Sequence, residues 1–189
     1  MEKSDFRETI LTNRGLFEYL EDLEIPEADF NNPNALILDL GAGIQQRLAK
    51  EAGALHLKSK IISVDPRLGL REEEDLALPS TERDMRMAGR KSPAPRSLAA
   101  TAEALPFRDE TFERIYALYS VPYYLSHPEE IEATIREVLR VLRPEGVFRA
   151  YPILEEQVDL IRGILGKRTD IAFDIKEKEE DFLLVLTKR

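Results

Sequence analysis

The amino-acid sequence predicts an α/β fold: one seven-stranded, mostly parallel sheet with helices on both faces and an antiparallel hairpin at its C-terminal end. Three observations predict it. Short, nearly all-apolar runs such as Ala35–Leu40 and Ile61–Val64 have the composition of strands covered on both sides. Segments of helical period alternate with them, most clearly Ile131, Ile135, Val138, Leu139 and Leu142. The last segment changes to period two, with Ile171, Phe173 and Ile175 separated by polar residues.

The elements follow in order. Two short helices are expected first, over about residues 4–13 (Phe6, Ile10 and Leu11 on one face) and 15–24 (Leu16, Phe17, Leu20 and Leu23), ended by Pro26 and the turn-rich Asn31–Asn34. Ala35–Leu40 is the first strand, running into Gly41-Ala42-Gly43 and a helix over about Ile44–Ala52. Ile61–Val64 is the second strand and ends at Asp65-Pro66. A third is expected near Leu98–Ala102, a fourth at Arg114–Ser120 and a fifth at Gly146–Tyr151. Between the last two, Ser126 and Glu129 have capping-box spacing for the long helix, and Pro144 forces its end. A further helix over Leu154–Leu165 leads to Gly166 as its cap. The chain closes with a hairpin around the charged turn Lys176–Asp181. The whole reads as a Rossmann-like sheet.

Composition bounds the function. A chain of 189 residues, 43% apolar, suits one domain over residues 1–189, with residues 1–30 as a helical cap and 66–96 as a long loop or flap. That loop holds four prolines, the acidic run Glu72–Asp75 and a basic cluster of Arg83, Arg86, Arg90, Lys91 and Arg96; loops of this length are functional or disordered. There is no cysteine, which excludes disulfides, thiolate metal sites and cysteine nucleophiles, and the two histidines are too few for a histidine-built metal site. The first residues lack an apolar leader and no run is long enough to span a membrane, so a cytoplasmic protein is expected. A net charge of −9 disfavours nucleic acid as a partner.

The chemistry concentrates at strand ends. Gly41-Ala42-Gly43 permits a sharp turn and close approach of a ligand to the backbone, and Asp65, about twenty residues on, is placed to accept ribose hydroxyls. A dinucleotide fingerprint wants a third glycine where Gln46 stands, which argues against a nicotinamide cofactor. Asp39 carries the wrong charge for a pyrophosphate and the right one for an amino group. An adenosine bearing an amino acid fits better.

Here the sequence resembles the class I S-adenosylmethionine-dependent methyltransferases, in particular the small-molecule subgroup that includes quinone-biosynthesis C-methyltransferases. The resemblance covers about Leu36 to Pro152. It rests on LILDLGAG, IISVDP, Glu103–Glu113 (EALPFRDETFE) and Ile135–Gly146 (IREVLRVLRPEG), four signatures in the expected order. It implies that Asp39, Gly41, Ala42 and Gly43 line the methionine end of S-adenosylmethionine, that Asp65 holds the ribose, and that Thr101 and Ala102 meet the adenine edge. Leu105, Pro106 and Phe107 would pack near that ring. Three positions depart from the pattern: Gln45 replaces a glycine, Thr101 an acidic residue, and Glu145 a glycine.

Methyl transfer is an in-line displacement, so alignment and exclusion of water matter more than a nucleophile or metal. The residues expected beside the methyl are Tyr119, Ser120, Tyr123, Tyr124 and His127. His127 could serve as a base or simply end a helix before Pro128; Tyr123 and Tyr124 could wall the acceptor or pack half-buried. The acceptor is expected to be a small molecule. Two alternatives stand beside it: a non-catalytic cofactor sensor or partner-binding subunit, and an amino-nitrogen methyltransferase using Ser120-Val121-Pro122-Tyr123.

Overall fold

A computed structural model describes residues 14–69 and 94–189. The expected first helix, the acidic run Glu72–Asp75 and the basic residues Arg83, Arg86, Arg90 and Lys91 lie outside the described residues.

Seven strands form one sheet in the order β3-β2-β1-β4-β5-β7-β6. They are β1 (Leu36–Leu40), β2 (Lys60–Val64), β3 (Ser97–Leu98), β4 (Phe112–Leu118), β5 (Leu142–Ile153), β6 (Ile171–Lys178) and β7 (Asp181–Lys188). Strands β1 to β5 pair in parallel, whereas β7 runs antiparallel to both β5 and β6. The chain moves outward from β1 through β2 to β3, then returns to add β4 on the opposite side. That reversal opens a crevice at the C-terminal tips of β1 and β4, where open α/β sheets bind ligands.

Alternation along each strand divides the core. Ile37, Tyr116, Leu118 and Leu183 face the helices α1 (Leu16–Asp22) and α2 (Arg47–Ala54), packing with Tyr19, Leu23, Leu48 and Ala52. Leu38, Leu40, Ile115, Ala117 and Leu184 face the other side, with Ile135, Val138 and Leu139 of α3 (Pro128–Val141) and Val158, Ile161 and Leu165 of α4 (Glu155–Leu165). The sheet is therefore covered on both faces, which explains its near-continuous apolar strands.

Local chemistry moves several boundaries from their expected places. On α1, Phe17 is exposed and Tyr19 takes the buried position at helical spacing from Leu16 and Leu23. The helix after Gly43 starts at Arg47 rather than Ile44, because Gln46 adopts a left-handed φ of 50° that no helix can pass through. The third strand shrinks to Ser97–Leu98, and the residues after it turn away from the ladder. Pro128 occupies the first turn of α3, so the cap falls on His127, whose N–H donates to Glu130 at 3.4 Å, and not on Ser126. Leu142, expected on the helix, instead begins β5 opposite Phe112, and the register shifts before Val147 pairs with Arg114. The hairpin turn narrows to Glu179-Glu180 between β6 and β7, with Glu179 at φ 57°.

The end of the sheet away from the crevice is tied by a charged network. Arg114 donates to both oxygens of Asp29 (2.8 and 3.2 Å), and the Tyr116 hydroxyl donates to the same carboxylate at 2.8 Å. This anchors the single-turn 3-10 segment Glu27–Asn31, and with it buried Phe30, beneath β4. Removing one member leaves the others with unmatched hydrogen bonds, which costs more than the net worth of the pair. Asp29→Ala is expected to lower the unfolding free energy by about 3 kcal/mol in urea denaturation. Adding Arg114→Met should cost much less than the two single losses combined.

Candidate active site

At the tip of β1 the chain must turn in very little space. The N–H groups of Gly41 and Ala42 both donate to the carbonyl of Val64 on β2, at 2.8 and 3.1 Å. On the other side, Ser120 at the end of β4 donates its hydroxyl to the carbonyl of Leu40 at 2.7 Å. Gly41 lies between them at φ 79°, and a Cβ there would stand 2.2 Å from the Cβ of Ser120. Both the backbone angle and the close approach require glycine.

Gly43 continues the turn at φ 67° and donates its N–H to Asp65 at 2.9 Å. Asp65 also receives Arg67, through its backbone N–H and its guanidinium, each at 2.9 Å. The carboxylate expected to hold a ribose is thus already bound to the side chain two residues on. Gln46 stands buried where the dinucleotide pattern has its third glycine, and accepts the N–H of Ala94 at 2.5 Å. Its side chain ties down the end of the 66–96 loop.

Asp39 precedes this turn and points toward α1. It is 1% exposed, accepts the Tyr19 hydroxyl at 2.5 Å on Oδ1, and has no partner for Oδ2 among the described residues. Burial pushes its pKa up to about 7, an effect that the Tyr19 hydroxyl opposes, Asp65 reinforces and the Ser63 hydroxyl on the neighbouring strand opposes further. The Tyr19 phenol is itself held well above its ordinary value, first by burial and then by the charge of Asp39.

Around these groups lies a cavity of about 380 Å³, within the range of small-molecule sites. Its lining comes from the tips of four strands: Leu40 and Gly41 after β1, Val64 and Asp65 after β2, Ala100–Glu103 after β3, and Tyr119–Val121 after β4, with Tyr124 and Leu125 beyond. Of the sequence-predicted site residues, Gly41, Asp65, Thr101, Ala102, Tyr119, Ser120 and Tyr124 line this space. Ala42 and Gly43 form the turn beside it, and Asp39 lies below the turn. Tyr123 is outside the lining, edge-on between Tyr119 and Tyr124 with centroids 6.3 and 4.9 Å away. His127 is also outside it, exposed at the start of α3. The hydroxyl of Ser120 gives its proton to Leu40 and keeps its oxygen as an acceptor at the cavity wall.

The most specific sequence signatures brace this site from behind. Arg140 donates to the carbonyls of Leu105 and Phe107 at 2.8 and 2.7 Å and to Asp109 at 2.8 Å, and Glu137 accepts the N–H of Leu105 at 2.9 Å. Together they fix the loop that follows Thr101 and Ala102, and Phe107 packs edge-on to Phe112.

Three residues near the cavity escaped the sequence reading. Tyr19 and Arg14 belong to the N-terminal segment, where helical spacing signals only packing. Arg67 follows the strand-end acid by two residues, and nothing in the pattern marks it.

The residues present fit S-adenosylmethionine. The cavity opens at the strand tips, Gly41 lets a ligand close on the backbone, and the Asp65 carboxylate lines the same space. Strand order and site define a class I S-adenosylmethionine-dependent methyltransferase fold. The chain belongs to the methyltransferase domain family, whose model matches residues 38–150. Among curated proteins it is 34% identical over 58 residues to a sterol 4-C-methyltransferase of Caenorhabditis elegans, covering 31% of this chain and 16% of that protein. It is 32% identical over 73 residues to a sterol 24-C-methyltransferase of Schizosaccharomyces pombe, covering 38% and 18%. The matched stretch thus spans less than a fifth of either relative. Two solved structures share the fold: a putative S-adenosyl-L-methionine-dependent methyltransferase from Methanococcus maripaludis (TM-score 0.58, 13% identity, 82% of this chain and 77% of that one) and a SAM-dependent methyltransferase from Methanosarcina mazei (TM-score 0.57, 14% identity, 86% and 96%). Among the described residues no group of acidic or histidine side chains could hold a metal ion, and no helix is long and apolar enough to cross a membrane.

Because the folded state raises the pKa of Asp39 above its ordinary 3.8 to about 7, the folded protein binds a proton more tightly than the unfolded chain. The stability this confers is complete below about pH 4 and is lost as pH rises through about 7. Asp39→Asn should remove that decline, leaving the variant more stable than the wild type at pH 8 by at most about 4 kcal/mol in urea denaturation. Gly41→Ala is expected to cost about 2–4 kcal/mol from backbone angle and clash together, part of it recovered by adding Ser120→Gly.

Proposed function

We propose that this protein transfers a methyl group from S-adenosylmethionine to a small-molecule acceptor. The observation that carries the reading is the cavity itself, which gathers Gly41, Asp65, Thr101, Ala102 and Ser120 from four strand tips at the reversal of the sheet. The cofactor supplies an electrophilic methyl on a sulfonium, so the chain needs only to orient the two partners and keep water out.

The roles of the chain's residues follow from their places. Asp39 and the Gly41–Gly43 turn would receive the methionine end. Asp65 would accept the ribose hydroxyls, which requires Arg67 to release it. Thr101 and Ala102 would border the adenine, with Leu125 and Ala100 as apolar walls. On the β4 side, Tyr119 and Tyr124 line the cavity and would meet the acceptor, and Tyr123 would support them from behind. Burial raises the Tyr119 and Tyr124 phenols above their ordinary range, so they would act as neutral, polarisable walls rather than bases. A small molecule suits a space of this size, and sterol methyltransferases among the sequence relatives are in keeping with it.

A second reading, a non-catalytic cofactor sensor or partner-binding subunit, draws on the ion pair that already engages Asp65. Calorimetric titration separates the two. The methyltransferase reading expects micromolar binding of S-adenosylmethionine and S-adenosylhomocysteine, weakened at least tenfold by Asp65→Ala, with turnover of the cofactor when an acceptor is supplied. Binding without turnover across a broad acceptor panel would favour the sensor; absence of binding at millimolar ligand would overturn both.

A further inference from the structure

The hydrogen bonds that Asp65 already accepts copy those of a ribose. Oδ1 receives the backbone N–H and the Nε–H of Arg67, and Oδ2 receives the N–H of Gly43 and the Nη2 of Arg67, each at 2.9 Å. Each oxygen therefore takes one backbone donor and one arm of the guanidinium fork, which uses all the lone pairs a carboxylate offers. The two adjacent hydroxyls of a ribose would approach in the same way, one to each oxygen. The guanidinium stands where that diol would stand, and the two backbone N–H groups can stay when it leaves.

The members of this pair differ in freedom. The side chain of Asp65 is 3% exposed and that of Arg67 is 36% exposed, and Arg67 stands on the single turn Pro66–Gly69. That turn runs beside β3: the N–H of Asp65 donates to the carbonyl of Leu98 at 3.3 Å, and a Cβ on Gly69 would lie 3.0 Å from the methyl of Ala99. From Ala99 the chain continues into the cavity wall at Ala100–Glu103. Glu103 is half-buried in that wall and makes no hydrogen bond or ion pair among the described residues. Its backbone is held in place. The N–H of Ala104 closes a turn on Thr101 at 3.3 Å, and Glu137 and Arg140 fix the N–H and carbonyl of Leu105. Asp65, Arg67 and Glu103 line one cavity, which thus carries two acids and a guanidinium. A guanidinium that leaves one carboxylate loses least where a second receives it.

We propose that Arg67 is a two-position arm: it holds Asp65 in place of a ribose diol and passes to Glu103 when a nucleoside takes that carboxylate. This rests on the methyltransferase reading above and adds Arg67 and Glu103 to the nucleoside site. On Asp65 the arm competes with the ligand. On Glu103 it lies across the adenosine and keeps water from the ribose hydrogen bonds. A ligand without the diol leaves the arm on Asp65 and gains nothing from Glu103.

The full chain, as wild type, Glu103→Gln, Arg67→Met and the double variant, would be titrated calorimetrically with S-adenosylhomocysteine, adenosine and 2′,3′-dideoxyadenosine. A second seat on Glu103 predicts that Glu103→Gln weakens S-adenosylhomocysteine and adenosine about fivefold and dideoxyadenosine less than twofold. It also predicts that Glu103→Gln has no further effect once Arg67→Met is present. A carboxylate that only shapes its loop or touches the base would weaken adenosine and dideoxyadenosine alike, in either background. That result, or no change with any ligand, would overturn the proposal. A second measurement needs no nucleoside. In Asp65→Asn the first seat loses its charge, so the Nε–H resonance of Arg67 should stay protected from solvent exchange and lose that protection when Glu103→Gln is added. Loss of protection in Asp65→Asn alone would equally overturn the arm. Failure of the wild type to bind S-adenosylhomocysteine or adenosine at millimolar ligand would instead strike the methyltransferase reading, and the Arg67 resonance would still decide whether Glu103 is its second seat.

Discussion

One short hydrogen bond organises the crevice: the hydroxyl of Ser120 on the carbonyl of Leu40. It ties the tips of β1 and β4 together where the strand order reverses and the sheet would otherwise splay open. The tie brings Ser120 so near that residue 41 can carry no side chain, and the resulting bend presents the amides of Gly41 and Ala42 to Val64 and that of Gly43 to Asp65. Three strands are thereby locked by the amides of the turn together with the side chains of Ser120 and Asp65. Cavity-lining groups such as Asp65 therefore stand against a rigid frame and lose little freedom on meeting a ligand.

The rear of the site uses the opposite strategy. The loop after Ala102 has no ladder to hold it and depends on Glu137 and Arg140, one turn apart on α3, which reach back to its carbonyls and N–H groups. That explains why Glu103–Glu113 and Ile135–Gly146 are the sharpest signatures in the sequence although few of their residues touch the cavity. They specify each other. Charge-assisted hydrogen bonds to backbone tolerate little substitution, whereas an apolar lining accepts many side chains of similar volume.

Much of this was legible in the sequence, and the exceptions have physical causes. The parallel strands announced themselves because both faces are buried, and the hairpin because its period is two. The order in which strands lie side by side is set by long-range packing that no local pattern encodes. Seven of the predicted site residues line the cavity: Gly41 and Asp65 because a turn glycine and a strand-end acid have geometrical requirements that spacing reveals, Thr101 and Ala102 because the family resemblance marked their positions, and Tyr119, Ser120 and Tyr124 because they follow β4. Tyr123 and His127 were read from their nearness in sequence to β4, and proximity along the chain does not give direction. Phe17 and Tyr19 illustrate the limit on α1: both fit an apolar helix face, and only the position of Asp39 decides which one turns inward. Gln46 shows another limit, since its left-handed backbone has no signature in a residue that rarely adopts it.

The two ends of the long loop are each fastened independently. Gly69, closing the turn after β2, packs so near Ala99 that a Cβ would lie 3.0 Å from that methyl, while Ala94 is held by the buried amide of Gln46. Both flanks of β2 and β3 are thus pinned beside the cavity by contacts of their own, so a change at either anchor acts first on the strand tips that line it.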